Sequence, residues 1–291
     1  MNRGCCHPPA GFVPAIAAAL VAGLWTAPCA PAEPAGDEVP KWEIGIAGGG
    51  GWTPHYPAAD QSGGAIAGAP FVIYRSGRLR LGEDGLVSGR IFKTDRINIT
   101  ASIAGSLPAR SRENNARKGM PDLDALIEIG PQVVIVMEKR TDVDSTSLKL
   151  PLRVVASSDF SNLKYRGVIF QPRLSYSREN LFHSENLSGS VGFGPTFASE
   201  PLMDYFYEVP PQYATPERPA HDAHGGYLGS ALGLGLTYRF SKRFSISVGT
   251  QFDYYGGATN GDSPLYRSDT GIKAGAGFVW KIWTSTSMVP D

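Results

Sequence analysis

Every cysteine of this 291-residue chain falls in its first 29 positions: Cys5, Cys6 and Cys29. That segment reads as one that is removed. Arg3 gives a thin positive start, Phe12 to Trp25 is apolar, and Ala30-Pro31-Ala32 offers small residues for cleavage. Residues 1–32 are therefore expected to be a secretory signal peptide, too short to span a bilayer comfortably. A lipoprotein reading would place Cys29 at the cleavage point, but Pro28 before it and the missing Leu three residues earlier weigh against it. The remaining domain, 33–291, would have no disulfide and no thiolate metal site. Neither sign of charge dominates: 27 Lys and Arg stand against 27 Asp and Glu. This excludes a basic face for nucleic acid. There is also no run of 18 apolar residues, and hence no transmembrane helix. An exported chain of this kind is either soluble or a closed barrel, since only helices and closed barrels satisfy the backbone in lipid.

Glycine is abundant, at 35 residues, and charged residues are only 19%. The pattern is alternation. In 243–255, Phe244, Ile246, Val248, Thr250, Phe252 and Tyr254 share one face, while Ser245, Ser247, Gly249, Gln251 and Asp253 share the other. In 226–240, Leu228, Leu232, Leu234, Leu236, Tyr238 and Phe240 oppose Gly229, Ala231, Gly233, Gly235, Thr237 and Arg239. In 270–282, Ile272, Ala274, Ala276, Phe278, Trp280 and Ile282 oppose Lys273, Gly275, Gly277 and Lys281. Period two over ten or more residues indicates lipid outside and a polar or small-residue interior. The fold class expected is all-β, a transmembrane antiparallel barrel. Twelve strands are read at 42–52, 69–76, 78–83, 86–92, 95–105, 123–138, 146–157, 163–178, 186–199, 226–240, 243–256 and 270–283. Treating 78–92 as irregular would leave ten. Long connections at 53–68, 106–122, 200–225 and 257–269 fall on one side, and tight turns at Ser76-Gly77, Lys93-Thr94 and Ser241-Lys242 on the other. That asymmetry places the long loops outside the cell and the termini in the periplasm.

Facing inward by this alternation are Glu128, Gln132, Lys149, Arg153, Arg173, Arg239 and Asp253, a mixture of signs that suits either a narrow polar channel or a closed salt-bridge network. No cofactor is expected. The glycines 48–51 have neither the GK[ST] ending nor the following helix of a phosphate loop. His183, His221 and His224 have no third ligand at metal spacing. Asp122 and Asp124 suit turn capping better than a calcium loop. Ser199, His221 and Asp222 form no marked catalytic unit, so the chain reads as a non-enzyme.

In the last strand Lys273, Gly275, Phe278 and Trp280 form a polar-x-Gly-x-x-apolar-x-aromatic pattern. It resembles the C-terminal signal read by the barrel assembly machinery, except that residues 281–291 follow the aromatic. Other segments extend a likeness over most of the chain. They are Pro54-His55-Tyr56-Pro57; Pro70-Phe71-Val72-Ile73-Tyr74-Arg75; Leu107-Pro108-Ala109-Arg110-Ser111 with Asn114, Ala116-Arg117 and Gly119-Met120-Pro121-Asp122-Leu123-Asp124; Glu128-Ile129-Gly130-Pro131; Tyr205-Phe206 with Val209; and Gly261-Asp262-Ser263-Pro264-Leu265. In order and spacing these resemble the MipA/OmpV family of Gram-negative outer-membrane proteins. The resemblance implies residence among outer-membrane lipids. It also implies a scaffold role in peptidoglycan remodelling, bringing a lytic transglycosylase together with a murein synthase. The barrel physics alone suggests a porin-like narrow channel, and the four long loops an adhesin or surface antigen.

Overall fold

The structure is a computed structural model that describes residues 38–75, 80–81, 89–93, 97–141, 143–159 and 162–290. The expected signal peptide, 1–32, lies outside the described residues, as do parts of the two short strands read at 78–83 and 86–92. The described strands are β1 (Glu38–Pro40), β2 (Trp42–Pro54), β3 (Ser62–Arg75), β4 (Arg80–Leu81), β5 (Gly89–Lys93), β6 (Ile97–Ser106), β7 (Ala125–Thr141) and β8 (Asp144–Ser158). They continue with β9 (Leu163–Phe170), β10 (Arg173–Arg178), β11 (Leu187–Ala198), β12 (Gly226–Ser241), β13 (Phe244–Tyr254), β14 (Thr270–Thr284) and β15 (Met288–Pro290). One α-helix, α1 (Glu200–Tyr207), lies between β11 and β12.

From β2 to β14 the strands form one antiparallel sheet that closes on itself. β14 pairs with β2 along ten positions, from Ala274↔Trp52 to Thr284↔Glu43. β9 and β10 share both neighbours, β8 and β11, so they are one stave interrupted at Gln171-Pro172. The described residues thus form twelve staves. β1 and β15 form a separate ribbon, Glu38↔Pro290 to Pro40↔Met288, where the two ends of the barrel chain meet.

The alternation sorts the faces. Leu232, Leu234, Leu236 and Tyr238 on β12, and Ile272, Phe278, Trp280 and Ile282 on β14, turn outward and stay exposed on the isolated protein. That apolar outer face is where hydrocarbon belongs. One residue departs from the expected register. A bulge sets Thr196↔Gly229 next to Phe197↔Tyr227, which leaves Leu228 without a partner. Leu228 therefore turns inward and is buried, whereas strict alternation had placed it with Leu232.

β3 also begins earlier than expected, at Ser62 rather than 69. Its first half, Gly63-Gly64-Ala65-Ile66-Ala67-Gly68, carries almost no hydrophobic contrast. It pairs with β2 throughout, ending at Pro54↔Ser62, so the ladder defines this strand where the side chains do not.

Prolines cut a seam through part of the wall. Pairing lapses at Gly130-Pro131 between β7 and β8, at Gln171-Pro172 between β8 and the β9/β10 stave, and at Gly194-Pro195 on β11. A proline lacks the N–H that a ladder position needs. The strands close up tightly here: a Cβ on Gly130 would strike the Leu152 carbonyl, and one on Gly194 the Pro172 carbonyl.

Candidate functional site

Four long connections, 55–61, 107–124, 199–225 and 255–269, emerge at one end of the barrel, opposite the β1–β15 ribbon. They are not separate loops. Tyr56, Ala58 and Ala59 of the first, Ala109, Met120 and Leu123 of the second, Leu202, Met203, Phe206, Tyr207, Val209 and Ala223 of the third, and Tyr255 and Leu265 of the fourth are buried in one apolar core. The core continues onto the inner wall through Leu126, Val155, Ile169 and Leu228. The result is a cap over the loop end of the barrel.

α1 supplies its centre. Leu202, Met203, Phe206 and Tyr207 recur at helical spacing on one face, with Pro201 in the first turn. Tyr207 and Met203 are each 0% exposed. Backbone polar groups inside the cap are met by side chains, as burial demands. The Tyr207 hydroxyl donates to Pro57 O at 3.0 Å, and Tyr56 to Leu265 O at 2.8 Å. Ser263 Oγ donates to Tyr207 O at 2.8 Å. Arg117 is buried, donates to Phe206 O at 3.1 Å, and its guanidinium lies 5.7 Å over the Tyr56 ring. Burial raises the Tyr56 and Tyr207 hydroxyl pKa values and lowers that of Arg117. Asp122 takes the capping role expected of it, accepting the Ser111 N–H at 2.6 Å. On the outer side of α1, Asp204 is pushed up to about 6 by desolvation, then by the neighbouring Glu208, Glu200 and Asp222.

Beneath the cap, side chains of neighbouring staves join along the inner wall. Arg153 Nε donates to Glu128 Oε2 at 2.9 Å, Nη1 to Ser102 Oγ at 3.1 Å, and Nη2 to Gln171 Oε1. Gln171 passes the chain on to Thr196 Oγ1 at 3.3 Å. This network covers the stretch where the prolines interrupt the ladder, adding side-chain hydrogen bonds between staves whose regular pairing lapses there. A second group lies around Asp253, which accepts Gln251 Nε2 at 2.7 Å and pairs with Lys273 Nζ at 3.1 Å. Arg173, on the inner face of β10, lies over Gly192 and donates to its carbonyl at 3.3 Å. Lys149 stands directly opposite Arg173 in the β8–β10 ladder. Gln132 and Arg239 also lie on the inward-facing row of their strands, half-buried, and their side chains join neither network.

The sequence reading missed Ser102, Gln171 and Thr196, which complete the Arg153 network, because small polar residues carry little contrast in an alternating strand. It also missed the other end of the lumen. Glu43 is 1% exposed and lies between Arg75, at 3.4 Å, and Lys281 Nζ, at 3.1 Å. Its signal was available: Glu43 shares the inward parity of Ala47, and Arg75 that of Phe71 and Ile73.

Of the assembly-signal residues, Phe278 and Trp280 face outward and Lys273 inward. The chain beyond them continues β14 to Thr284 and then forms β15. Ser199 Oγ accepts the Val168 N–H at 2.8 Å, while His221 bridges to Val209. His183 sits at the ribbon end, far from His221 and His224 in the cap. Among the described residues no three His, Cys, Asp or Glu side chains are grouped to hold a metal.

Residues 46–282 match the protein family described as MltA-interacting protein MipA. No curated protein matches the chain. Among solved structures the chain is similar to a bacterial polysaccharide outer membrane secretin, at 11% identity and a TM-score of 0.38, covering 84% of this chain and 100% of that one. It is similar to the Pseudomonas putida toluene transporter TodX at 12% identity and 0.29, covering 90% and 72%. It is similar to outer membrane phospholipase A from Escherichia coli at 8% identity and 0.29, covering 84% and 99%. The family match spans most of the chain, and the closed wall turns an apolar face to lipid; the chain belongs to the MltA-interacting protein family and is a β-barrel of the outer membrane.

Proposed function

We propose that the protein is a capped, non-conducting barrel that holds a murein-degrading enzyme, and with it a murein synthase, at the inner surface of the outer membrane. The observation that carries this reading is the buried core that joins all four long loops into a cap. Loops committed to one another's burial are poor mobile contact arms. The surface left for a periplasmic partner is the opposite end, made of the β1–β15 ribbon and the connection 179–186.

That connection has the features of a contact element. Asn180, Phe182 and His183 all hold positive φ, of 54°, 54° and 65°. Such a conformation costs a non-glycine residue energy, and persists where its surroundings hold it. Leu181 holds it, packing beside Gly189 and Leu236 at the rim, while Phe182 is left 82% exposed. An exposed aromatic beside the exposed acid Glu185 suits a partner with an apolar pocket and a basic edge. The family's name, MltA-interacting protein, is consistent with a peptidoglycan enzyme as that partner.

Pull-down of a lytic transglycosylase from periplasmic extract tests the reading. Phe182→Ser with Glu185→Lys should reduce capture. Glu217→Lys, on the exposed surface of the cap, should not. Capture lost only in the cap variant would overturn the proposal. In planar bilayers the wild-type protein should show no steady conductance.

A further inference from the structure

We propose that the lumen is a binding site for a small doubly charged anion, formed by Lys149, Arg173 and Lys273 around Asp253. The inference does not depend on the scaffold role. It starts from an imbalance. Lys149 and Arg173 are direct cross-strand neighbours on the inner face, and like charges so placed repel. Among the described residues the Lys149 side chain has no hydrogen bond or ion pair. The Arg173 side chain has one hydrogen bond, to a backbone carbonyl. Among the described residues the carboxylate that acts on Arg173 is Asp253, and Asp253 is already paired with Lys273 at 3.1 Å. Arg173 and Lys273 both draw on Asp253, and Lys149 beside Arg173 has no paired carboxylate, so among the described residues this stretch of the inner wall carries an excess of two positive charges.

Partly desolvated charge without a counter-charge is costly. A dianion is the species whose charge matches this excess. There is also room for one. The row of wall next to Arg173 carries Gly192 opposite Gly233, and the row below carries Gly235, Gly249, Gly275 and Gly51 in continuous register. Gly249, Gly275 and Gly51 keep accessible surface, so the lumen is not packed solid there. With the cap over the loop end, the approach is from the ribbon end. Hydrogen phosphate and a short dicarboxylate share the required chemistry: two negative charges, and several acceptor oxygens for ammonium and guanidinium donors.

The test uses the full chain refolded in detergent micelles. Thermal unfolding is followed with added inorganic phosphate or succinate against chloride at equal ionic strength. A ligand bound only by the folded state raises the unfolding temperature. Stabilisation by phosphate alone, by succinate alone or by both supports the site, and tells which anion it prefers. Lys149→Met and Arg173→Met should each weaken the fitted affinity about tenfold, the loss of one charge-assisted contact. Both replacements relieve the repulsion, and Lys149→Met, half-buried with no partner to lose, decides the matter if Arg173→Met does not refold. Lys242→Met, in the exposed β12–β13 turn, should bind as the wild type does. If neither anion stabilises beyond chloride, or if binding ignores Lys149→Met, the proposal is wrong.

Discussion

The two ends of this barrel are built from different physics. The loop end is closed by apolar burial: α1 and three further loops place Leu202, Met203, Tyr207, Val209 and Leu265 at 1% exposure or less. The ribbon end is held by charge, with Glu43 between Arg75 and Lys281, and by a short ribbon between the first and last described strands. Apolar burial is non-directional and cooperative, so the cap should respond to lost volume. An ion trio should respond to lost charge and hardly to lost volume. The cap is therefore held by an apolar core, continuous with the inner wall, and the wall itself follows a different rule.

Tyr207→Ala should be the sharpest test. Removing a fully buried aromatic costs about 3–5 kcal/mol. The loss should be confined to the cap: the barrel keeps its heat-modifiable gel mobility, while the segment 199–225 becomes sensitive to added protease and steady conductance appears. If the whole barrel unfolds with the cap, the two ends are not separable. Between them, the wall gives a reference. Leu234→Arg puts a cation on the lipid face of β12 and should cost ~2–4 kcal/mol. Gly235→Ser, its inward neighbour, should be tolerated far better. Urea titration of both in lipid vesicles compares them, and equal damage would reject the assignment of faces.

At the ribbon end, Glu43→Gln keeps the volume and removes the charge that Arg75 and Lys281 share. We expect a loss of about 1.5–3 kcal/mol, the range for hydrogen bonds to charged groups. Glu43→Asp should recover part of it. The cap's protease resistance should stay unchanged in both. If Glu43→Gln costs nothing, charge is not what holds that end.

Much of the wall was legible in the sequence, and the unread part has a physical cause. The long staves followed from alternation, because lipid outside and small or polar groups inside impose period two on each of them. The register failed at Leu228, where a bulge reverses the face, and the early half of β3 was missed because Gly63 to Gly68 offers no contrast to read. The ion pairs were half legible. Glu128 and Arg153 fall on the inward parity of neighbouring strands, but that they meet at 2.9 Å depends on a register fixed by the ladder. The cap was not legible at all. Its apolar residues are scattered over four segments, and beyond the two turns of α1 none of these shows a periodicity that names its partner. Only the barrel's closure brings these segments together.

The smallest effect is one of pH, and it separates the cap's surface from its core. Asp204 has its carboxyl raised to about 6, first by desolvation and then by Glu208, Glu200 and Asp222, with His224 opposing. A carboxyl whose folded pKa is raised favours folding in its protonated form. Its contribution is fully present below the ordinary value of 3.8 and is lost as pH rises through about 6. The cap should therefore grow more sensitive to protease in segment 199–225 as pH increases from about 4 to 7. Asp204→Asn removes the charge at every pH. It should flatten that slope and leave the cap more resistant than wild type at pH 7, with the two converging at pH 4. The informative quantity is the difference between variant and wild type. Tyr207, whose hydroxyl lies far above this range, contributes nothing to that difference. A constant offset between the two proteins from pH 4 to 7 would mean that Asp204 is ionised throughout, and that the acids around α1 are too well solvated to bear on the cap's stability.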